Sequence, residues 1–463
     1  MERQAVERLD VAVVGAGVAG LAAARELDRQ GLRVAVFEAR DRIGGRIFTH
    51  RDEQVPVPIE LGAEFIHGEA PETQRVLDAA RLLALEISGE HRRAERGRLR
   101  QAHRFWGGID RVLRRIDPDG PDQSFADFLA RRPGGRSLAR DRTAAREFVQ
   151  GFHAADLDEI GILSIAPEEG ERPSESAAHV GRVVEGYDGI PRFLASGLEI
   201  HLGTRVSGIA WEAGRAELTL EATASDWTSR VEAGAVVVTL PVGVLQAAAD
   251  EPGGCRFDPE PPGLRKALDQ LAMGSVTRLV VRFREMPWQS LPGVERLSFL
   301  HLRGGPFNVW WTAYPLRFPL AVAWSGGPPA AELTGKKMED VAGSALRGLA
   351  GQLGISRRRI ESRVEGFWLH DWNADPFARG AYSYARVGGS KAARTLSKPV
   401  ERTLFFAGEA TDAEGRTGTV EGAIATGLRA AKQIVRRRGV RPENRSAPGD
   451  RSPGAQKEPL PKD

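Results

Sequence analysis

The first 46 residues change from one hydrophobic pattern to another in an order that predicts strand, turn, helix and strand. The β-branched run at residues 11–14 is typical of a buried strand, and residues 34–37 repeat that pattern. Between them, apolar side chains recur at helical spacing at Val18, Leu21, Ala24 and Leu27. Gly31 can end this helix. Residues 8–46 therefore predict the first unit of a Rossmann-like α/β fold.

The rest of the chain separates into regions of different pattern. Residues 71–183 carry helical patterns rich in Arg, Ala, Leu and Glu, at 71–86 and 137–153, whereas residues 265–375 are β-rich and aromatic. Elsewhere, apolar runs predict strands at residues 199–202, 206–211 and 235–240, a strand and turn at 404–411, and a last helix from Thr419 to about Val435. We therefore expect the Rossmann-like part to be interrupted by insertions.

The turn between the first strand and helix carries the spacing of a dinucleotide site. Gly15 permits a sharp turn, Gly17 lets the backbone approach a pyrophosphate, and Gly20 lets the helix pack on the strand. Ala19 lies in the same turn, where the free N–H groups of the helix start favour phosphate. The turn therefore predicts that the ligand is a dinucleotide.

The second strand ends in Glu38 and Ala39, which we include in the nucleotide site. Glu38 follows the glycines at about the 20-residue distance of a ribose-binding acid. Its carboxylate can accept hydrogen bonds from the ribose hydroxyls and would repel a 2′-phosphate. The pattern therefore disfavours NADP.

Two arginines, Arg42 and Arg46, flank a Gly-Gly pair just after Glu38 and can reach the same pyrophosphate as bidentate donors. Here the sequence resembles the flavin-containing amine oxidases, whose FAD domain carries R-x-G-G-R just after the ribose acid. The resemblance favours FAD over NAD.

Residues 59–68 are similar to the L-G-A-x-x-I-H-G stretch of that family. The resemblance implies that Gly62, Ala63 and Glu64 run beside the flavin ring. His67 has two interpretations that the sequence leaves open, a hydrogen-bonded structural histidine and a residue that lines the substrate site.

Residues 367–384 resemble the W-x-x-D-P-x-x-x-G-x-Y segment of polyamine oxidases and lysine-specific histone demethylases. The resemblance implies that Trp372 flanks the flavin and that Tyr382 faces the amine. An electron-rich ring attracts a charged amine by a cation–π interaction worth roughly 0.5–2 kcal/mol. We therefore assign both residues to the catalytic site.

The family's remaining cofactor motifs also have counterparts here. The F-A-G-E motif ends at Glu409, and the resemblance implies that Glu409 binds the ribityl chain of FAD. The G-T-V-x-G-A motif contains Thr419 and Val420, which the resemblance places at the start of a helix. The N–H groups at that helix start favour negative charge on the flavin. Val206 matches the valine on the adenine side.

Three positions depart from parts of the family. Arg278 occupies the place of a lysine that holds a water beside flavin N5, and Arg cannot lose its proton. Ala381 stands where monoamine oxidases carry a flavin-linked cysteine, so we expect noncovalent FAD. Thr419 replaces the second tyrosine of the monoamine oxidase cage, which leaves that cage at most half formed.

Composition narrows the class of protein. The chain has 463 residues, 27% of them charged and 41% hydrophobic, which is typical of a globular, soluble protein. Its only cysteine is Cys255, which excludes intrachain disulfides and thiolate metal sites and favours a cytoplasmic location. The histidines show no H-x-x-x-H spacing, so we expect no metal. The longest uncharged run, residues 233–249, is too short to span a membrane.

The net charge of +3 comes from the last residues. Residues 437–463 are rich in Pro and in charge, which predicts a disordered tail. Because the excess of basic residues lies in this tail, we expect no nucleic-acid or membrane partner.

The resemblance implies an FAD-binding domain formed by residues 1–70, 184–264 and 376–436, and an α+β substrate domain formed by residues 71–183 and 265–375. It also implies hydride transfer from an amine α-carbon to flavin N5, hydrolysis of the imine, and reoxidation by O2 to H2O2. The alternatives are a desaturase or oxidase of an apolar non-amine substrate, such as a polyene or porphyrinogen, and a non-catalytic flavoprotein. The sequence leaves the oligomeric state and the identity of the amine open.

Overall fold

The computed structural model of the chain describes residues 8–95, 97–102, 105–167 and 180–437. The predicted disordered tail lies outside these residues except for residue 437, which is still helical.

The strands, numbered in chain order, are β1 (Arg8–Val14), β2 (Val34–Phe37), β3 (Thr49–His50), β4 (Ile59–Glu60), β5 (Phe65–His67), β6 (Ala84–Glu86), β7 (Glu90–Glu95), β8 (Arg98–Gln101), β9 (Val180–Val183), β10 (Glu199–His201), β11 (Thr204–Glu212), β12 (Arg215–Ala222), β13 (Thr228–Val238), β14 (Arg256–Asp258), β15 (Leu271–Gly274), β16 (Val276–Phe283), β17 (Leu297–His301), β18 (Val309–Thr312), β19 (Leu320–Gly326), β20 (Val364–Leu369), β21 (Tyr382–Ala385) and β22 (Leu404–Phe406).

The α-helices are α1 (Val18–Arg29), α2 (Pro71–Ala80), α3 (Phe105–Leu113), α4 (Phe125–Ala130), α5 (Ala139–Phe152), α6 (Gly189–Ala195), α7 (Val242–Gln246), α8 (Leu264–Asp269), α9 (Pro328–Ala331), α10 (Met338–Leu353), α11 (Arg357–Glu361), α12 (Ala392–Leu396) and α13 (Val420–Arg437). Two short 3₁₀ helices lie at Ile162–Ser164 and Glu409–Thr411.

The predicted Rossmann-like unit forms the centre of an eight-stranded sheet with strand order β10-β2-β1-β13-β12-β11-β14. β1 pairs in parallel with both β2 and β13, and β22 adds to the carboxyl end of β13. The β-branched side chains of β1 are fully buried because helices cover both faces of a parallel sheet. This sheet confirms the expected α/β fold and contains all the strands predicted between residues 199 and 240.

A second sheet has seven strands in the order β20-β16-β19-β18-β17-β7-β8. Its core contains Phe283 and Trp310, both completely buried. Helix α10 packs against this core through Val341, Ala345 and Leu349. The aromatic pattern of residues 265–375 predicted the strands but not α10, which contains no aromatic residue.

The prediction of a helical insertion at residues 71–183 is wrong in part. The expected helix at 71–86 ends at Ala80, because Arg81 adopts a left-handed backbone conformation (φ 56°) and stops the helix. Residues 84–86 instead form β6, which pairs with β9, and β7 and β8 join the second sheet. The predicted helix at 137–153 is confirmed as α5.

A two-stranded antiparallel ladder joins the regions of the two large sheets. β15 leads directly into β16 of the second sheet, and it pairs with β21, which places Gly274 opposite Tyr382. Among the described residues, no helix combines the length and apolar character needed to cross a membrane.

Candidate active site

A cavity of about 570 Å³ lies between the two large sheets. One wall, the glycine-rich half, is formed by residues that follow β1, β2 and β22 and by the start of α13. The opposite wall, the aromatic half, is formed by α5, β17, β18 and β19. Every residue assigned to the site from sequence lines this cavity except Gly20 and Arg42.

Three positions after β1, Gly15, Gly17 and Gly20, carry glycine for three different structural reasons. Gly15 has a positive φ of 101°, which makes the sharp turn possible. A Cβ on Gly20 would lie 2.0 Å from the carbonyl oxygen of Gly15, so Gly20 lets α1 pack against the turn. A Cβ on Gly17 would meet no atom within 4 Å, so the protein itself does not require glycine there. The open space beside Gly17 belongs to the cavity, as expected where a ligand approaches the backbone.

Glu38 is buried at the end of β2. Its carboxylate accepts hydrogen bonds from the backbone N–H of Ala16 at 2.8 Å and of Arg40 at 2.9 Å. These bonds hold the carboxylate beside the glycine turn, where it and Ala39 line the cavity. Val206 of β11 lines the same end of the cavity.

Arg46 and Glu409 form an ion pair in the glycine-rich half, with Nη1 2.9 Å from Oε1. Arg46 also donates to the carbonyl of Ala381 at 2.8 Å. The other carboxylate oxygen of Glu409 accepts from Ser383 Oγ at 2.7 Å and from the N–H of Gly418 at 3.0 Å. Glu409 therefore ties together three chain segments at the cavity wall, a role that its assignment to the ribityl chain did not include.

Arg42 does not share the position of Arg46. Its Nη1 donates to the carbonyls of Gly45 at 2.9 Å and Ile47 at 3.2 Å, and its guanidinium lies over the ring of Phe48. Burial lowers the pKa of Arg42 to about 10. Since Arg42 fixes the loop and does not line the cavity, the expectation that both arginines reach one ligand is not met.

The start of α13 faces the cavity through Thr419 and Val420. Thr419 Oγ1 accepts from the N–H of Gly422 at 2.9 Å, which caps the helix. The positive end of the helix dipole and the N–H groups of the first turn favour negative charge at this point.

Trp372 and Tyr382 lie where the two halves meet. Trp372 is buried and donates from Nε1 to the carbonyl of Leu61 at 2.8 Å. Tyr382 packs against Gly418 and donates its hydroxyl to the carbonyl of Phe152 at 2.6 Å. Burial raises the pKa of Tyr382, so its phenol keeps the proton that this bond requires.

Gly62 and Ala63 run between Trp372 and Arg46. A Cβ on Gly62 would lie 2.0 Å from the Arg46 carbonyl oxygen and 3.1 Å from Trp372, so no other residue fits. The N–H of Ala63 donates to that same Arg46 carbonyl at 3.1 Å.

Arg278 reaches the cavity wall from β16 and is buried. It donates from Nη1 to the carbonyl of Gly62 at 3.0 Å and from Nη2 to Glu64. Burial alone would raise the pKa of Glu64, but the guanidinium groups of Arg278 and Arg182 outweigh it and the pKa is lowered. Glu64 is therefore an ionised carboxylate enclosed by the protein.

The aromatic half contains residues that the sequence analysis did not select as a site. Phe148 stacks on Phe152 with centroids 4.9 Å apart, His91 stacks on Phe299 at 4.6 Å, and Trp311 lies 5.6 Å from Trp324. The sequence carried no local signal for this wall because its members come from five elements in three separate regions of the chain, β7, α5 and β17 to β19.

Three histidines of this half have lowered pKa values because they are buried. The pKa falls to about 4 for His91 and His153 and to about 3 for His301. His91 Nδ1 lies 3.2 Å from His301 Nε2. His67 also lines the cavity, with its ring at an edge-on angle 5.7 Å from Phe152. All three shifted histidines are thus neutral near pH 7.

Comparison with known proteins identifies the family. A profile described as flavin containing amine oxidoreductase matches residues 18–127 and 88–435. Polyamine oxidase 4 of Oryza sativa subsp. japonica is 28% identical over 488 residues, which cover 95% of this chain and 92% of that protein. Lysine-specific histone demethylase 1 homolog 3 of Arabidopsis thaliana is also 28% identical, over 93% of this chain but only 30% of its own length.

A putrescine oxidase bound to putrescine has the same fold, with a TM-score of 0.76 at 22% identity over 93% of this chain and 99% of that one. The chain belongs to the flavin-containing amine oxidoreductase family. It is by family an FAD-dependent amine oxidase.

The residues present fit FAD. The cavity volume lies within the range of roughly 300–1,000 Å³ found for ligand pockets. The glycine turn leaves open space at Gly17, Glu38 supplies a buried carboxylate beside it, and α13 directs its amino end at the same wall.

Proposed function

We propose that the chain oxidises a small amine with noncovalent FAD. The observation that supports this most directly is that Tyr382, Trp372 and Arg278 line one cavity with the glycine turn and Glu38. FAD, when bound, supplies a two-electron acceptor for the hydride that leaves the amine α-carbon.

The glycine-rich half would hold the cofactor through Gly15, Gly17, Ala19, Glu38, Ala39, Arg46, Gly62, Ala63, Val206, Glu409, Thr419 and Val420, with Gly20 maintaining the turn. Cys255 does not line the cavity, and Ala381 stands at the position of the family's linking cysteine. Both facts support noncovalent binding.

The division into two domains supports this arrangement. We propose residues 1–70, 184–264 and 376–436 as the FAD-binding domain, since all eight strands of the first sheet lie in them. Residues 71–183 and 265–375 hold all seven strands of the second sheet and would form the substrate domain.

Tyr382 and Trp372 would orient the amine. The proposed role of Tyr382 is to present its ring face while its hydroxyl stays bound to Phe152. The cation–π attraction draws a charged amine toward the ring. Trp372, fixed by its bond to Leu61, would form the adjacent wall and help to exclude water. Arg278 would hold a water on its side of the cavity.

We further propose that the substrate is a di- or polyamine. Glu147 of α5 lines the aromatic half, and among the described residues it has no hydrogen bond and no ion pair within 4.0 Å. Arg93 and Arg303 attract its carboxylate from farther away. Burial raises its pKa, which shows that water solvates it poorly. A second ammonium group on the substrate would give this carboxylate a partner. The polyamine oxidase relative supports the same class.

We propose O2 as the electron acceptor, which gives H2O2, and a cytoplasmic location, which the single cysteine supports.

The test is an anaerobic titration of the FAD-loaded protein with putrescine, spermidine, an aromatic monoamine and an amino acid. We expect the diamine or polyamine to bleach the flavin absorbance, and admission of air to restore it with release of peroxide. Failure of every amine to bleach the flavin would contradict the proposed reaction. Bleaching by the monoamine alone would contradict the proposed substrate class and retain the reaction.

A further inference from the structure

Glu64 is the centre of a buried cluster of charged side chains beneath the cavity wall. Its Oε2 accepts from Arg278 and, at 2.9 Å, from the indole N–H of Trp311. Its Oε1 accepts from Arg182 Nε at 2.7 Å. Both oxygens are therefore used by the protein, and Glu64 has little capacity left to bind a ligand directly.

The two arginines extend this cluster to the backbone on either side. Arg278 donates from Nη1 to the carbonyl of Gly62 in the cavity wall. Arg182 donates from Nη1 to the carbonyl of Ala313 at 2.9 Å and from Nη2 to that of Thr312 at 3.2 Å. Loss of either arginine would release a segment of wall as well as a charge.

The charges of this cluster do not cancel. Two guanidinium groups and one carboxylate leave one positive charge, which Arg cannot lose by deprotonation. Glu60 is a further buried acid that interacts electrostatically with Arg278 and Glu64, and it accepts from the N–H of Tyr187 at 2.8 Å and from Thr49 Oγ1 at 2.7 Å rather than from an arginine. Burial raises the pKa of Glu60 to about 7, so below that pH it adds no charge.

We propose that the Arg278–Glu64–Arg182 triad fixes one positive charge at the cavity wall. In this arrangement Glu64 and Arg182 are positioning residues, which hold the guanidinium of Arg278 where it favours the reduced, negatively charged form of the cofactor. Glu64 cancels one of the two guanidinium charges, and the bonds of Arg278 to the Gly62 carbonyl and of Arg182 to the Ala313 carbonyl hold the two guanidinium groups in place when that charge is changed. The inference rests on the proposed function.

The experiment measures the midpoint potential of FAD bound to the holoenzyme at pH 6, by chemical reduction against a reference dye. Glu64→Gln leaves two positive charges, and we expect a more positive potential. Arg182→Met leaves a neutral Arg278–Glu64 pair, and we expect a more negative potential. Damage to the packing alone would not give shifts of opposite sign from two variants that break the same ion pair.

Glu60→Gln is the matched control, because it changes a buried acid of the same region that is mostly protonated at pH 6. We expect its potential to equal that of the wild type. Shifts of the same sign in Glu64→Gln and Arg182→Met, or a lower melting temperature with no shift, would overturn the proposal.

If Glu64→Gln does not fold, the Arg182 position still gives a test. Arg182→Lys keeps the charge and should keep the wild-type potential, whereas Arg182→Met should lower it. Equal potentials in these two variants would also overturn the proposal. Because the reductant is chemical, the result does not depend on whether any amine is a substrate.

Discussion

The two halves of the cavity are built on different principles. The glycine-rich half uses backbone groups and small residues, whose positions are set by turns and helix ends within short segments of sequence. The aromatic half uses large side chains from α5, β17, β18 and β19, which come together only when two distant regions fold. The residues of the glycine-rich half determine which cofactor binds, and that cofactor is shared by a whole family. The side chains of the aromatic half can differ between proteins that act on different substrates.

The sharpest test of this contrast lies within the glycine turn. We expect Gly20→Ala to abolish FAD binding and to destabilise the protein by several kcal/mol, because its Cβ would lie 2.0 Å from the Gly15 carbonyl oxygen. FAD content and thermal unfolding measure both effects.

Gly17→Ala is the matched variant. Since its Cβ would meet no protein atom, the apoprotein should unfold at the wild-type temperature while FAD binding weakens. Normal FAD binding by Gly17→Ala would show that the open space beside Gly17 does not hold the cofactor.

Tyr382 lies where the two halves of the cavity meet, and a substitution there tests whether its ring contacts the amine or the cofactor. We expect Tyr382→Ala to retain FAD and to slow anaerobic reduction by the amine about 100-fold, since the ring that orients the amine is lost (roughly 3 kcal/mol of barrier). Stopped-flow absorbance gives the rate. Loss of FAD in this variant would instead place Tyr382 in the cofactor site.

Glu147 tests the aromatic half. Glu147→Gln should raise KM for a diamine about tenfold, which corresponds to roughly 1.4 kcal/mol. It should leave KM for a monoamine unchanged, because a monoamine has no second ammonium group. An equal change for both substrates would argue against a contact between Glu147 and the second charge.

These variants also show what the sequence could predict. Gly20, Glu38 and the start of α13 were found because their function depends on spacing within one segment. The role of Glu64 was assigned incompletely, because its partners Arg278 and Arg182 lie more than 100 residues away in the chain. The same limit applies to the whole aromatic half.

The smallest expected effect is on stability at acidic pH. The folded pKa values of His91, His153 and His301 lie below the ordinary value of 6.5, so the unfolded chain binds more protons between about pH 6.5 and pH 4. The contribution of these histidines to stability is therefore full above pH 6.5 and falls as the pH decreases, by at most about 1.4 kcal/mol per pH unit for each histidine.

His91→Phe should make this dependence shallower, by about 1 kcal/mol at pH 5.5. Urea unfolding between pH 5 and 8 measures the slope. His201→Gln, at the exposed end of β10, is the control. An unchanged slope in His91→Phe would mean that His91 is not buried in its neutral form.

The position of β22 and α13 at residues 404–437 has a consequence for synthesis of the chain. β22 completes the sheet beside β13, and α13 packs on α1, with Gly427 against Ala19. At about 5–20 residues per second, the ribosome needs roughly 20–80 s to make the roughly 400 residues that separate α1 from α13. During that time the apolar face of α1, including Leu21 and Leu27, lacks the part of its cover that α13 supplies through Ile424, Ala430 and Ile434. Because Glu409, Thr419 and Val420 line the cavity, the wall of the cofactor site is complete only after this last segment has been made.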